Sequence, residues 1–208
     1  VKFDFDKDFP AAPDGTPASE DFFTGMPSEC AVGNILYSWN YAFDTRAFGG
    51  KEPKTIKDFF NTKKFPGKRA IYKSALTNLE IALAADGVKL GDGGTRVYRK
   101  LLEDGGIDRA INKIRKLCTD PNGGCVFWSA GAQPPELLVA GEVVMATGWN
   151  GRFFNAEVGE NAPIKQVWDG QGLDYEYFAL VKGGPDEANA KKALAMMTNT
   201  EMLAGSAK

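Results

Sequence analysis

Apolar and polar positions along this chain follow two repeating patterns, one typical of strands and one typical of helices. Apolar runs with the length and β-propensity of buried strands lie at residues 31–37, 69–72, 125–128, 143–147, 164–168 and 175–181. Helical spacing or helix start signals occur at residues 53–60, 75–86, 95–103, 107–117, 133–140 and 186–197. Because strands alternate with helices, the pattern predicts an α/β fold with a mostly parallel sheet.

The first 29 residues show little periodicity and carry much proline, glycine and acid, which predicts an extended connector that runs over a surface. Phe3, Phe5 and Phe9 are expected to fix this connector to the fold. A turn is predicted at residues 169–172, between the last two strands.

Two helices are expected to start at specific capping residues. Thr55 is the predicted N-cap of the helix over 53–60, and Ser74 that of the helix over 75–86. A helix N-terminus has unpaired N–H groups and a positive dipole end, so Ser74 together with Lys73 would hold an anionic group. Alternatively, Ser74 only caps the helix and Lys73 is solvated.

Residues 125–154 hold the most informative pattern in the chain. A strand ends in the small residues that begin with Ser129, a short helix follows, and a second strand ends at Trp149, Asn150 and Arg152. Ligands of open α/β sheets lie outside the carboxyl ends of the strands, so these residues are expected on one rim. Trp39, which follows the first strand, could face a ligand there as well. Each tryptophan could instead pack, and Arg152 could form a salt bridge without a ligand.

Composition narrows the classes of function. The formal charge of -2 on 208 residues gives no basic footprint for nucleic acid. No apolar run approaches the length of a membrane span, and the first nine residues lack a signal-peptide pattern, so any export signal is expected to have been removed upstream. Histidine is absent, which excludes histidine-based acid–base catalysis and most zinc sites. No metal, cofactor or catalytic residue is expected.

Three cysteines leave at least one unpaired. Cys118 and Cys125 flank a turn-rich segment that could bring them together as a disulfide, although two buried thiols would also suit these positions. Cys30 is expected to be a packed thiol.

The segment from Trp128 to Arg152, WSAGAQPPELLVAGEVVMATGWNGR, resembles a segment of the extracellular solute-binding proteins of ABC importers, in the polyamine (spermidine or putrescine) branch. The resemblance lies in the pattern W-x-x-G-A-Q-x-x-x-L-L-x-x-G-E-V-x-M-x-x-x-[WY]-N-G-R. Residues 30–33, 63–69, 79–88 and 181–185 fall in the same order as in that family.

The resemblance implies two α/β lobes of the type II periplasmic binding fold that close over one small solute. Compared with that pattern, residues 44–163 would be the second lobe, residues 1–43 a connector, strand and crossing segment from the first lobe, and residues 164–208 a return crossing with a helix of the first lobe. It also implies a periplasmic location and an ABC permease in the membrane as partner, with neither membrane insertion nor nucleic acid.

The resemblance and the strand ends together name the candidate ligand contacts. These are Trp149, Asn150, Tyr175, Ser129, Trp39, Lys73, Ser74, Asp174 and Glu176. Aromatic faces and carboxylates suit an alkylammonium ligand such as a polyamine. Lys73, Ser74 and Thr77 stand where the spermidine-binding members carry acidic residues, which favours an anionic or amino-acid-like solute as the alternative. Two other classes stay open, namely an enzyme that uses Lys73 or a carboxylate, and an interaction module that presents its aromatic residues to a protein.

Overall fold

The computed structural model describes residues 1–22, 28–91 and 94–206, and five strands within them form one sheet. The strands are β1 (Val32–Asp44), β2 (Arg69–Tyr72), β3 (Cys125–Trp128), β4 (Met145–Trp149) and β5 (Ile164–Phe178). Their order is β3-β2-β4-β1-β5. β2 pairs in parallel with β3 and β4, whereas β1 runs antiparallel to β4. The predicted α/β class is confirmed, and the sheet is mixed.

Helices connect the strands. They are α1 (Phe5–Asp8), α2 (Ala18–Asp21), α3 (Ile56–Phe59), α4 (Asn78–Ala85), α5 (Thr95–Leu102), α6 (Gly106–Thr119), α7 (Gln133–Val139), α8 (Asn150–Phe154), α9 (Glu187–Met197) and α10 (Thr200–Ser206), with a π-helical turn at Asn155–Gly159 after α8. No helix in the described part of the chain is both long and apolar enough to cross a membrane.

The chain divides into two units. The larger unit is Tyr37–Leu173, and the smaller unit combines Val1–Leu36 with Asp174–Lys208. β1 and β5 each carry the chain from one unit into the other. The assignment of the segments to a first and a second lobe stays a prediction.

The larger unit buries apolar side chains on both faces of its sheet. One cluster includes Tyr41, Phe43, Phe59, Phe65 and Met145, and the other includes Trp39, Ala146, Trp128, Leu138 and Phe153. Among the apolar positions of α6, Ala110 and Leu117 are buried, whereas Ile107 and Ile111 are exposed.

Arg69 fixes the segment between α3 and β2 from inside the core. Its side chain is fully buried, and it donates to the carbonyls of Phe59 (Nε, 2.9 Å), Phe65 (Nη2, 2.5 Å) and Gly67. Burial lowers the pKa of Arg69 to about 10, so the guanidinium remains charged at neutral pH. A buried charge without a carboxylate partner is tolerated here because its N–H groups are bound by main-chain carbonyls.

The smaller unit is held by the phenylalanines near its N-terminus. Phe3 and Phe9 are buried with Val32 and Leu194, and the Phe3 and Phe9 ring centroids are 5.3 Å apart. This confirms that they fix the segment to the fold. The prediction of an extended connector is wrong, because the segment forms α1 and α2 and supplies buried side chains instead of running over a surface.

Two strands are longer than the pattern predicts. β1 continues through Trp39 and Tyr41, beyond the predicted end at residue 37, because Trp39 to Phe43 pair with β4. β5 continues through residues 169–172, where the sequence predicted a turn. Tertiary contacts override the turn signal there. The Asp169 Oδ2 atom accepts from the Ile56 N–H at 2.7 Å, and a Cβ atom on Gly170 would lie 2.6 Å from the Ile56 side chain.

The structure confirms one of the two predicted helix caps and corrects the other. Thr55 is the N-cap of α3 and forms a capping box with Asp58, which confirms the prediction. The helix predicted at 75–86 begins instead at Asn78, so Ser74 is not its cap. Asp186 caps α9 through the Asn189 N–H.

Cys118 and Cys125 form a disulfide that joins the end of α6 to the start of β3, and Cys30 is unpaired and partly buried.

Candidate functional site

Four aromatic rings lie together where the parallel strands end. Tyr72, Trp128 and Trp149 are the last residues of β2, β3 and β4, and Trp39 is the partner of Trp149 in the antiparallel pairing of β1 with β4. All of their ring centroids lie between 4.6 and 6.4 Å apart. We call these four residues the aromatic cluster. It occupies the carboxyl edge of the sheet, where the sequence predicted the rim.

The aromatic cluster is largely shielded from solvent and keeps unused hydrogen-bond donors. Trp128 is fully buried, Trp39 is 5% exposed, and Trp149 is half-buried. The indole Nε1 atoms of all three are buried and have no hydrogen-bond partner among the described residues. A buried donor without an acceptor costs free energy, so this cluster gains stability from any group that brings an acceptor to it.

The loop after β3 explains part of the W-x-x-G-A-Q pattern. The Gln133 Oε1 atom accepts from the Ser129 N–H at 2.8 Å and from the Ala130 N–H at 2.9 Å, which closes the loop onto the start of α7. A Cβ atom on Gly131 would lie 2.2 Å from the Trp149 ring, so only glycine allows that ring its position.

Asn150 ties the end of β4 to β1 through Ser38, which in turn ties β1 to β5. Its Oδ1 atom accepts from the Ser38 N–H at 2.8 Å, and the Ser38 Oγ atom donates to Gln171 Oε1 at 2.8 Å. The amide oxygen of Asn150 is therefore occupied within the protein. A role for Asn150 as a direct ligand contact stays a prediction.

Exposed polar groups surround the strand ends. Ser129 and Lys73 are exposed directly after β3 and β2, and the Lys73 N–H donates to the Trp128 carbonyl at 2.8 Å. Arg152, three residues beyond Trp149 in α8, is exposed, and its guanidinium forms no ion pair or hydrogen bond with the described part of the chain. Arg152 was expected on the rim but was not among the candidate ligand contacts named from the sequence.

The anion site predicted at Ser74 is not built as expected. Because α4 begins at Asn78, Ser74 lies four residues before the helix, and its Oγ atom accepts from the Leu76 N–H at 3.2 Å. The Asn78 side chain instead occupies the helix start, where its Nδ2 atom donates to the carbonyls of Tyr72 and Ser74, both at 2.6 Å. A helix dipole therefore does not act at Ser74, which leaves Lys73 as the cation there.

Three of the predicted contacts belong to the smaller unit. The Asp174 carboxylate accepts from the Tyr175 N–H at 2.9 Å, and the Tyr175 ring lies 6.3 Å from that of Tyr177. Tyr175 is 39% exposed, and Glu176 is exposed. Their role as ligand contacts stays a prediction.

Sequence reasoning missed a pocket on β1, β4 and β5. It is lined by Trp39, Asn40, Tyr41, Thr77, Thr147 and Asp169, with Ile56, Ile81 and Gly170 completing its wall. Asn40, which is 6% exposed, is a polar residue between two aromatic residues of a strand, and this was the available signal. The described residues contain no group of three or more side chains arranged to hold a metal ion.

Comparisons with known proteins agree on one protein family. The model of the bacterial extracellular solute-binding protein family matches residues 4–208. The chain is 40% identical over 187 residues to the gamma-aminobutyric acid (GABA)-binding protein of Pseudomonas aeruginosa, a match that covers 90% of this chain and 50% of the relative. The chain thus spans about half the length of this relative.

Solved structures agree with this result. The PBP MotA from A. tumefaciens B6 in complex with glucopine is 30% identical, with a TM-score of 0.78 over 94% of this chain and 58% of that one. A structure described as a GABA receptor is 29% identical, with a TM-score of 0.68 over 84% of this chain and 50% of that one.

Proposed function

Because the chain belongs to the bacterial extracellular solute-binding protein family, we propose that it acts in the uptake of a small amino acid that carries both an ammonium and a carboxylate group, of the GABA type. It would serve as the solute-binding component of an ABC importer, work in the periplasm, and deliver its solute to a membrane permease. It would bind without catalysis, as its relatives are named for binding.

The observation that carries this proposal is the aromatic cluster at the strand ends, with uncompensated cations around it. Aromatic faces attract an ammonium group and cover the methylene chain of the solute. Arg152, Lys73 and the Ser129 hydroxyl offer the donors that a carboxylate requires. Together these groups match a zwitterion with separated charges.

The same cations disfavour the polyamine solute that the resemblance first implied. A polyamine carries only positive groups, so Arg152 and Lys73 would repel it unless each had an acidic partner. The relatives are named for GABA and glucopine, which supports the amino-acid-like alternative over the polyamine.

We propose that the two units correspond to the predicted lobes, although their boundaries lie seven and ten residues from the predicted ones. The larger unit would be the second lobe, and the smaller unit would contribute to the first lobe. Trp149, Asn150, Ser129, Trp39, Lys73 and Ser74 would be the ligand contacts of the larger unit, and Asp174, Tyr175 and Glu176 stay predicted contacts of the smaller unit. Ser74 does not cap α4, so it would contact the solute from the exposed segment that it shares with Lys73, before the helix.

Ligand-observed NMR on the 208-residue chain tests this proposal, because saturation transfer reports solutes that bind with millimolar Kd. We expect saturation of the GABA signals and none for putrescine. Arg152→Gln should weaken GABA binding about tenfold, as the loss of one charged hydrogen bond predicts. Arg99→Gln, an exposed arginine of α5, is the matched control and should bind like the wild type. Saturation of putrescine but not of GABA would contradict the proposal.

A further inference from the structure

The pocket lined by Asn40 and Asp169 is rich in hydrogen-bond acceptors that the protein does not use. It shares only Trp39 with the aromatic cluster, and its other walls come from the strand residues Asn40, Thr147 and Asp169 and from the start of α4 at Thr77. Its narrow interior suits a small group, about the size of one water molecule or one ammonium group.

Asn40 provides the acceptor that lacks a partner. Its Nδ2 atom donates to Gln166 Oε1 at 2.9 Å, which fixes the amide on the buried side of β1. Its Oδ1 atom is buried and accepts no hydrogen bond from the described residues, although the side chain is 94% shielded. A buried oxygen of this kind is stabilised by any ligand that brings an N–H group to it.

The hydroxyl groups in the pocket wall can offer only further acceptors. The Tyr41 hydroxyl donates to the Thr55 carbonyl at 2.9 Å, and the Thr77 hydroxyl to the Leu76 carbonyl at 2.6 Å. The Thr147 hydroxyl donates to the Ala70 carbonyl at 3.4 Å. Since each hydroxyl has one proton and gives it to the main chain, its remaining lone pairs are acceptors.

Asp169 makes the pocket electronegative. One of its oxygens, Oδ2, accepts from the Ile56 N–H at 2.7 Å, and the carboxylate is exposed on β5. Burial raises the pKa of the Tyr41 phenol, the nearby carboxylates of Asp58 and Asp169 raise it further, and the Arg69 guanidinium opposes this effect in part. A negative ligand group would meet the same repulsion, whereas a positive one would be attracted.

We propose that this pocket binds the primary ammonium group of the solute. A primary ammonium carries one positive charge and three N–H donors in the volume of a water molecule, which matches an acceptor-rich, electronegative pocket of this size. A quaternary ammonium has no N–H donor and is too bulky. This inference rests on the proposed function and deepens it, because it places the ammonium end beside Trp39 and leaves the carboxylate end to Arg152 and Lys73.

The test compares three probes, GABA, butylamine and butyrate, by ligand-observed NMR titration of the 208-residue chain. Asp169→Asn keeps an oxygen for the Ile56 N–H and removes the charge. It should raise the Kd of GABA and of butylamine at least tenfold and leave butyrate unchanged. Asn40→Leu removes the buried acceptor and should weaken the same two probes. Glu52→Gln removes an equal charge that pairs with Lys165, away from the pocket lining, and should bind like the wild type.

The outcomes separate this inference from the proposed function. Wild-type binding of GABA that is unaffected in both Asp169→Asn and Asn40→Leu would overturn the pocket assignment and leave the proposed function standing. Butylamine binding that depends on Asp169, without GABA binding by the wild type, would support the pocket and overturn the proposed function. Binding of neither probe would overturn both. Displacement of butylamine by an equal concentration of ammonium chloride would show a site for free cations and would overturn the assignment to the solute.

Discussion

At the scale of single residues, the position of Trp149 depends on a glycine that packs beneath its ring. The Trp149 ring lies where a Cβ atom on Gly131 would be, at 2.2 Å, whereas a Cβ atom on Gly151 would meet nothing within 4 Å. These two glycines lie on either side of Trp149 in sequence, and only Gly131 is required by the position of its ring.

Gly131→Ala should displace the Trp149 ring. Overpacking of this kind costs about 2 kcal/mol, so we expect the free energy of unfolding to fall by roughly that amount in a urea titration, with weaker binding of GABA. Gly151→Ala is the matched control and should change neither quantity. An alanine at Gly131 that leaves both stability and binding intact would show that Trp149 is not fixed by this contact.

Acid should destabilise the larger unit through Asp44. Burial raises the pKa of Asp44, but the two hydrogen bonds from Arg46, both at 2.8 Å, more than offset this effect, and the pKa lies below its ordinary value. A carboxyl with a depressed folded-state pKa stabilises the fold above its unfolded pKa of about 3.9 and loses that contribution as the pH falls further. The free energy of unfolding should decline between about pH 5 and pH 2. Asp44→Asn should show a shallower decline in urea titrations across this range, and an unchanged slope would refute the role of Asp44.

Single residues also show what the sequence could predict at the site. Trp149 and Ser129 were correctly placed at the strand ends, because a strand that ends in an aromatic or small residue leaves a local pattern. Trp39 was expected after the first strand but lies within β1, where it pairs with Trp149. The acceptor at Asn40 and the hydrogen bond from Ser38 to Asn150 were not predictable, since both depend on segments more than 100 residues apart along the chain.

At the scale of elements, the disulfide connects the end of α6 to the start of β3. Its two cysteines are separated by seven residues. It constrains the turn that brings β3 alongside β2, whose pairing begins at Cys125 and Arg69.

Removal of this disulfide should destabilise the larger unit by about 2.5 kcal/mol, on a loop-entropy estimate for a closed loop of this length. The measurement is urea unfolding of the Cys118→Ala/Cys125→Ala double variant beside the wild type. Cys30→Ala serves as the control for loss of a thiol, since Cys30 is unpaired. Equal stability of the double variant and the wild type would mean that the bond does not constrain the unfolded chain.

Strands and long helices were predicted better than the segments that join them. β2, β3, α5 and α6 were predicted within two residues because each has a continuous apolar pattern. The turn expected at residues 169–172 was wrong, since β5 runs through these residues. Gly170 has a φ of +80° within the strand, and a side chain there would clash with Ile56. The start of α4 was also wrong, because the Asn78 side chain, and not Ser74, binds the carbonyls before the helix.

At the scale of the whole molecule, most tryptophans lie together at one edge of the sheet in the larger unit. Three of the four tryptophans of the chain lie in the aromatic cluster, and the fourth, Trp168, is 48% exposed on β5. The tryptophan fluorescence of this protein therefore reports mainly on the candidate site, and replacement of Trp168 removes the one contribution from outside the aromatic cluster.

The most direct test of the account is a fluorescence titration of the Trp168→Phe variant with GABA, since only the tryptophans of the aromatic cluster then emit. We predict a saturable change in emission with GABA and none with putrescine, because the proposed solute site includes Trp39 and Trp149. A flat titration, under conditions where NMR shows that GABA binds, would contradict the placement of the solute at the aromatic cluster.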